Sequence, residues 1–231
     1  QSRRAEEERR EAERQLRESL REKEALLKEV HHRVKNNLQV VSSLLRLESS
    51  RQTDRGTRHV LQDMTGRIRS MAMLHETIYR SGSFGRIDLA DYLTRLAQHA
   101  LRSAEPSPGR VRLQTHLAAV TLENDRAIPC GLIVNELVAN ALKHAFPDGR
   151  TGTVVVTLTP PDDHVTLRLE VSDDGVGLPA DLDGRREQSL GLRLVSDLAR
   201  QLGGDLRILP GPRFQVAFNP TRASPATESP L

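Results

Sequence analysis

The densest chemistry in the chain lies in the string Glu29-Val30-His31-His32-Arg33-Val34-Lys35-Asn36-Asn37-Leu38-Gln39. Helical geometry separates its two histidines. His31 shares an azimuth with Leu27, Leu38 and Leu45 and so joins an apolar stripe, where a satisfied core histidine is the ordinary outcome. His32 lines up with Lys35, Asn36, Gln39 and Ser43 on a polar face. An exposed neutral imidazole among hydrogen-bonding groups is suited to nucleophilic attack. From this segment alone, a plain surface histidine reads the same.

A second constellation is Asn135-Glu136-Leu137-Val138-Ala139-Asn140-Ala141-Leu142-Lys143-His144. Glu136 and Asn140 stand one turn apart on a largely apolar helix, and Lys143 and His144 continue the polar edge. Such groups are costly to bury unless a ligand or metal satisfies them. A carboxylate and an amide carbonyl are hard oxygen donors of the kind Mg2+ takes beside triphosphate oxygens. An edge facing water is the plainer alternative. Next, Val171-Ser172-Asp173-Asp174-Gly175-Val176-Gly177 follows a strand. Its glycines allow close backbone approach, and a carboxylate there can accept the exocyclic amino hydrogen of adenine, although D-x-G-x-G also describes a simple turn. Last, Ser189-Leu190-Gly191-Leu192 opens a helix whose N-terminal amides suit phosphate. The stretch Leu178–Gln188 between them is polar and Gly-containing, as a mobile lid would be. The G-x-x-x-x-G-K-[ST] cradle and the kinase Gly-rich loop are both missing.

In this order the three later segments resemble the N, G1 and G2 boxes of the Bergerat ATP-binding fold, shared by histidine kinases, gyrases and the heat-shock chaperone of that class. The string His-His-Arg-Val-Lys-Asn-Asn-Leu-Gln resembles that of the sensor histidine kinases of two-component signalling, in the branch with a type-2 dimerisation and phosphoacceptor domain related to the HWE kinases. The resemblance covers about residues 25–220. It implies a kinase that uses ATP and Mg2+ to phosphorylate His32, the same histidine that the helix-face argument selects. By position, Asn140 would bind magnesium, Lys143 and His144 would approach phosphates, and Asp173 would read adenine. Gly175, Gly177, Gly191 and Leu192 would shape the pocket and lid. Glu136 falls where a water-activating base or a metal-shell ligand is expected. Asn36 occupies the position that places water for regulator dephosphorylation. Two departures stand out. Arg33 replaces the usual acidic neighbour of the histidine, so Glu29, at i−3, is the candidate to orient the imidazole. Ser189 stands where a glycine is expected. The resemblance further implies a response-regulator receiver domain acting in trans, an upstream sensor domain and a homodimer. The rival functions are a protein-serine kinase or ATPase on the same ATP fold, and a non-catalytic coiled-coil scaffold.

These side chains need elements to hold them. Residues 1–29 are rich in Arg, Glu and Lys and contain no Gly or Pro, which makes a helix but no core. Apolar residues recur at Leu16, Leu20, Leu27, Val30, Val34, Leu38, Val41 and Leu45, one stripe of a long helix that suits a coiled-coil seam. A second stripe at Val60, Leu61, Met64, Ile68, Met71, Leu74 and Ile78 ends at Ser81-Gly82-Ser83. Together they predict a helical hairpin that becomes a four-helix bundle on pairing. Beyond it, helices are expected at Asp88–Ser103, Asp125–Phe146 and Leu190–Leu202. Strands are expected at Val111–Val120, Thr153–Leu158, Val165–Val171, Leu206–Leu209 and Arg213–Phe218, with turn residues at Pro160–Asp163. The expected class is α+β, a hairpin followed by an α/β sandwich of Bergerat type. The expected divisions are a signalling helix (1–24), a phosphotransfer hairpin (25–83), an ATP-binding domain (84–220) and a disordered tail (221–231).

Composition narrows the function. The 231 residues are 37% hydrophobic and 28% charged, so the chain is globular with some long exposed element. A net charge of only +3 gives no case for a nucleic-acid partner, and 3% aromatics without Trp disfavour single-strand stacking. One cysteine, Cys130, excludes an intrachain disulfide and fits a reducing compartment. No apolar run approaches the roughly 20 residues of a membrane helix, and a cytoplasmic location is expected. Because the chain opens at Gln1 rather than Met, a longer parent protein is expected.

Overall fold

The computed structural model describes residues 2–80, 86–104, 109–160, 166–178 and 189–221. The side chains of Leu27 and His31 lie outside the described residues, as do the expected helix stop at 81–83, turn residues 161–163, all but the first residue of the lid, and all but the first of the tail. The chain divides into two compact units, Gln1–Phe84 and Gly85–Leu231.

The first unit is a hairpin of α1 (Ser2–Arg51) and α2 (Arg55–Arg80). The 50 residues of α1 run unbroken through position 24 and would extend about 75 Å. Exposed pairs such as Arg10–Glu6 and Arg14–Glu11 at 2.9 Å stud the helix, where solvent screens them strongly. Asp54 starts α2 by accepting from the Thr57 amide at 2.6 Å, a bond that lowers its carboxyl pKa below the usual value. Ser42, Ser49 and Ala72 are buried. By contrast, Leu16, Leu20, Val30 and Val41 of the apolar stripe remain 63%, 51%, 52% and 43% exposed within one chain.

The second unit orders its elements as β1 (Arg86–Asp88), α3 (Leu89–Ala104), β2 (Val111–Leu117), β3 (Thr121–Glu123), α4 (Asn124–His144), β4 (Gly152–Thr159), β5 (Leu167–Asp173), α5 (Leu190–Gln201), β6 (Asp205–Leu209) and β7 (Arg213–Phe218). The main sheet has the order β2-β4-β5-β7-β6, with β2 and β4 parallel and the other neighbours antiparallel. Strand alternation turns Val154, Val156, Leu158, Leu167, Leu169, Val171, Val216 and Phe218 inward, where all are buried. Helix α3 packs on β2, α4 on β5 and α5 on β6, which completes the expected α+β sandwich. Asp88 caps α3, its Oδ1 accepting from the amides of Ala90 and Asp91. Buried Arg126, near the start of α4, donates through Nη2 to the carbonyls of Leu202 and Asn219 at 2.8 and 2.6 Å, tying α4 to the ends of α5 and β7.

Several element bounds differ from expectation. The strand predicted over Val111–Val120 stops at Leu117, and a second strand, β3, pairs antiparallel with the unforeseen β1. Three-residue strands carry too little alternation to be read from sequence. Helix α4 ends at His144 rather than Phe146, because Phe146 has left helical geometry (φ −125°, ψ 61°) before the one-turn 3-10 helix Pro147–Gly149.

Candidate functional site

In the sandwich, a cavity of about 520 Å3 is lined by Asn140, Ala141, His144, Ala145, Asp173, Val176, Gly177, Leu178, Ser189, Leu192 and Phe214. Asn140 and His144 come from the last turns of α4. Helix α4 has this position because its apolar face, including Ile133, Val134, Leu137 and Val138, is buried. Glu136, one turn before Asn140, is 5% exposed and engaged within the fold, but it does not line the cavity. Lys143 is exposed and likewise off the lining. Five sequence-selected residues therefore meet on one cavity (Asn140, His144, Asp173, Gly177 and Leu192), while Glu136, Lys143, Gly175 and Gly191 flank it.

Asp173 ends β5 half-buried, and its Oδ1 accepts from the Gly175 amide at 3.0 Å. Burial raises its carboxyl pKa, the neighbouring Asp174 adds to the rise, and the Gly175 amide opposes it. The glycines after it have separate reasons. A Cβ on Gly175 would overlap the Ala145 carbonyl, where α4 ends and the Val176 amide donates to that same oxygen at 3.0 Å. Gly177 takes φ +86°, a conformation that side-chain-bearing residues rarely adopt. Asp174 fastens this turn to β4: its Oδ1 accepts from the Thr153 amide at 2.7 Å, and Arg150 donates to its carbonyl at 3.2 Å.

Ser189, in the place expected for glycine, is the N-cap of α5, its Oγ accepting from the Leu192 amide at 3.5 Å. The cap leaves Gly191 and Leu192 buried in the first turn, and the α5 N-terminus opens at the cavity. The wall formed by Ala141, Ala145, Val176 and Phe214 was not anticipated. Only Phe214 had a usable signal, since it alternates with Val216 and Phe218 on β7. Among the described residues, no three His, Cys, Asp or Glu side chains converge to hold a metal.

In the hairpin, His32 is exposed on α1 with Asn36 one turn later, also exposed. Glu29 does not meet the imidazole: its Oε1 accepts from Arg33 Nε at 2.8 Å. The expected orienting carboxylate is thus held by the residue that departs from the family pattern.

An exposed histidine on a long helical hairpin, followed by a sandwich whose cavity gathers these three boxes, is the arrangement of a histidine kinase. Residues 29–104 match a family model described as "Histidine kinase", and residues 125–223 match one described as "Histidine kinase-, DNA gyrase B-, and HSP90-like ATPase". The chain belongs to the histidine kinase family, in the branch with the type-2 phosphoacceptor domain. It is similar to the sensor histidine kinase PdtaS of Mycobacterium tuberculosis, 33% identical over 186 residues, 80% of this chain and 36% of that protein. It is also similar to blue-light-activated histidine kinase 2 of Erythrobacter litoralis, 32% identical over 189 residues, 80% of this chain and 53% of that protein. The chain thus spans from about a third to about half the length of these relatives. Among solved structures, the Erythrobacter litoralis EL346 blue-light activated histidine kinase superimposes with a TM-score of 0.64 at 29% identity, covering 84% of this chain and 59% of that one. No helix among the described residues is long and apolar enough to cross a membrane.

Proposed function

We propose that this chain is the core of a sensor histidine kinase: it transfers the γ-phosphoryl group of ATP to His32 and passes it to an aspartate on the receiver domain of a separate response regulator. The observation that carries this reading is the cavity on which Asn140, His144, Asp173, Gly177 and Leu192, drawn from three distant segments, line the same space. Ionised Asp173 accepts the amino hydrogen of adenine, and the Ser189-capped start of α5 offers a favourable field to phosphate. The Asn140 amide oxygen, on the cavity wall, and the Glu136 carboxylate one turn away are hard donors that fit magnesium. Magnesium, when bound, supplies neutralisation of triphosphate charge.

In the reaction, an imidazole nitrogen of His32 bonds to the γ-phosphorus as the bond to the bridging oxygen breaks, ADP departs, and the ring gives up its proton. In this mechanism Glu29, which holds Arg33 rather than the imidazole in the structure, takes that proton once the exposed pair, worth about 0.3–0.5 kcal/mol, opens. Asn36 then orients water for the reverse, dephosphorylating traffic with the regulator. Two copies pair along the exposed stripe of Leu16, Leu20, Val30 and Val41. Helix α1 leads to a sensor region, consistent with the fraction of PdtaS that the chain spans.

The test is incubation with γ-labelled ATP and magnesium, followed by addition of a receiver domain. Acid-labile, base-stable label that chases onto the receiver supports the proposal. Acid-stable label indicates a hydroxyl acceptor and refutes it, as does the absence of both label and ATP binding.

A further inference from the structure

The hairpin carries a second cavity, of about 600 Å3, between the C-terminal part of α1 and α2. Arg46 from α1 and Arg58 and Arg69 from α2 line it, together with Ser49, Thr65 and Gly66, and the remaining lining side chains are a serine and a glutamine. Among the described residues it has no acidic and no apolar member.

Among the described residues, the charge here has no acidic partner. Earlier in α1, Arg9, Arg10, Arg14, Arg17 and Arg33 each sit within 4.0 Å of a glutamate three or four residues away. Arg46 and Arg69 make no ion pair or hydrogen bond among the described residues. Arg58 is held by the Gln52 carbonyl, accepting from Nε at 3.2 Å and Nη2 at 2.5 Å, a contact that leaves its charge unpaired. Guanidinium forks that line one cavity without a carboxylate among the described residues are suited to a phosphate dianion, which such groups bind bidentately.

Gly66 points the same way. Glycine inside a helix costs about 1 kcal/mol relative to alanine. A Cβ added at Gly66 would meet nothing within 4 Å, so packing within the hairpin does not demand glycine there. Gly66 instead leaves this stretch of the α2 backbone open to the cavity that it lines.

We propose that this cavity binds a small phosphorylated molecule of up to nucleotide size, separately from the cavity in the sandwich. Its volume falls in the usual range for small-molecule sites, about 300–1,000 Å3. A docked protein segment is disfavoured because protein interfaces centre on buried apolar and aromatic anchors, and this lining has none. By bridging Arg46 on α1 and Arg69 on α2, the ligand fastens the two helices to each other.

The test is calorimetric titration of the full chain with inorganic pyrophosphate at low salt, comparing wild type, the double variant Arg46→Gln/Arg69→Gln, and Asn140→Ala. The expected result is saturable binding in wild type and in Asn140→Ala, weakening as salt is added, and at least about tenfold weaker binding in the double variant. Absence of binding to wild type, equal affinity in the double variant, or loss in Asn140→Ala would overturn the proposal, the last by assigning pyrophosphate to the sandwich cavity. Should the double variant unfold, the arginine side-chain Nε resonances of wild type decide: pyrophosphate shifts those of Arg46 and Arg69, and unmoved signals refute the site.

Discussion

His32 and Asp173 are held in opposite ways. His32 is exposed on a helix whose polar face is laced by pairs such as Glu29–Arg33, none of which holds its ring among the described residues. Asp173 is half-buried at a strand end and fixed from several directions: by the Gly175 amide, by the Asp174–Thr153 bond, and by the fit of Gly175 against Ala145. On the proposed function, the hairpin thus presents a reacting group that must meet partners, while the sandwich preorganises a pocket. Substitutions should accordingly act on reaction alone at His32, and on folding as well at the packed positions of the sandwich.

The largest expected effect is at Asn140. Asn140→Ala should lower label incorporation from ATP by about 100-fold or more while leaving the melting temperature nearly unchanged, because the side chain is only partly buried. Full activity in this variant would remove the cavity from the mechanism. Next comes a paired test of packing. Leu169→Ala, in the centre of the sheet, should cost about 2–5 kcal/mol in denaturant unfolding, whereas Leu20→Ala, exposed on α1, should cost under about 0.5 kcal/mol in the isolated chain. A concentration-dependent effect at Leu20 would sharpen the contrast by locating the face on which two copies pair.

A smaller effect concerns pH. Burial raises the Asp173 pKa, and the proposed adenine contact needs the ionised form. ATP affinity should therefore weaken as pH falls through a range above that of an ordinary aspartate, and Asp173→Asn should abolish this dependence. Stability has the opposite sign. With a folded-state pKa above the unfolded one, the native state binds more protons in the window between them, so the Asp173 contribution to stability falls as pH rises. Without nucleotide, Asp173→Asn should therefore melt at or above wild type near neutral pH. The smallest change is Glu29→Gln. It frees Arg33 and should reduce the labelling rate several-fold with little change in stability, and an unaltered rate would exclude Glu29 as proton acceptor.

What could be read in the sequence follows the same division. The faces of α1 and the spacing of Glu136, Asn140 and His144 are local, repeating every few residues, so periodicity exposes them. Asp173, Gly175 and Gly177 could be recognised because a strand end and glycines occur together. The Asp174–Thr153 strap, the Gly175–Ala145 contact and the pairing of β1 with β3 were not legible, since each joins residues some 20 or more positions apart and no local pattern encodes such meetings. The Glu29–Arg33 pair was legible in principle as an i, i+4 match. The same carboxylate also stands three residues before His32, and spacing alone does not decide between the two neighbours.

The assignment of the phosphoacceptor is tested most directly by labelling wild type, His31→Gln and His32→Gln side by side with γ-labelled ATP and magnesium. The account predicts acid-labile label in wild type and in His31→Gln, and none in His32→Gln despite undiminished ATP binding. Label that persists in His32→Gln and vanishes in His31→Gln would contradict it.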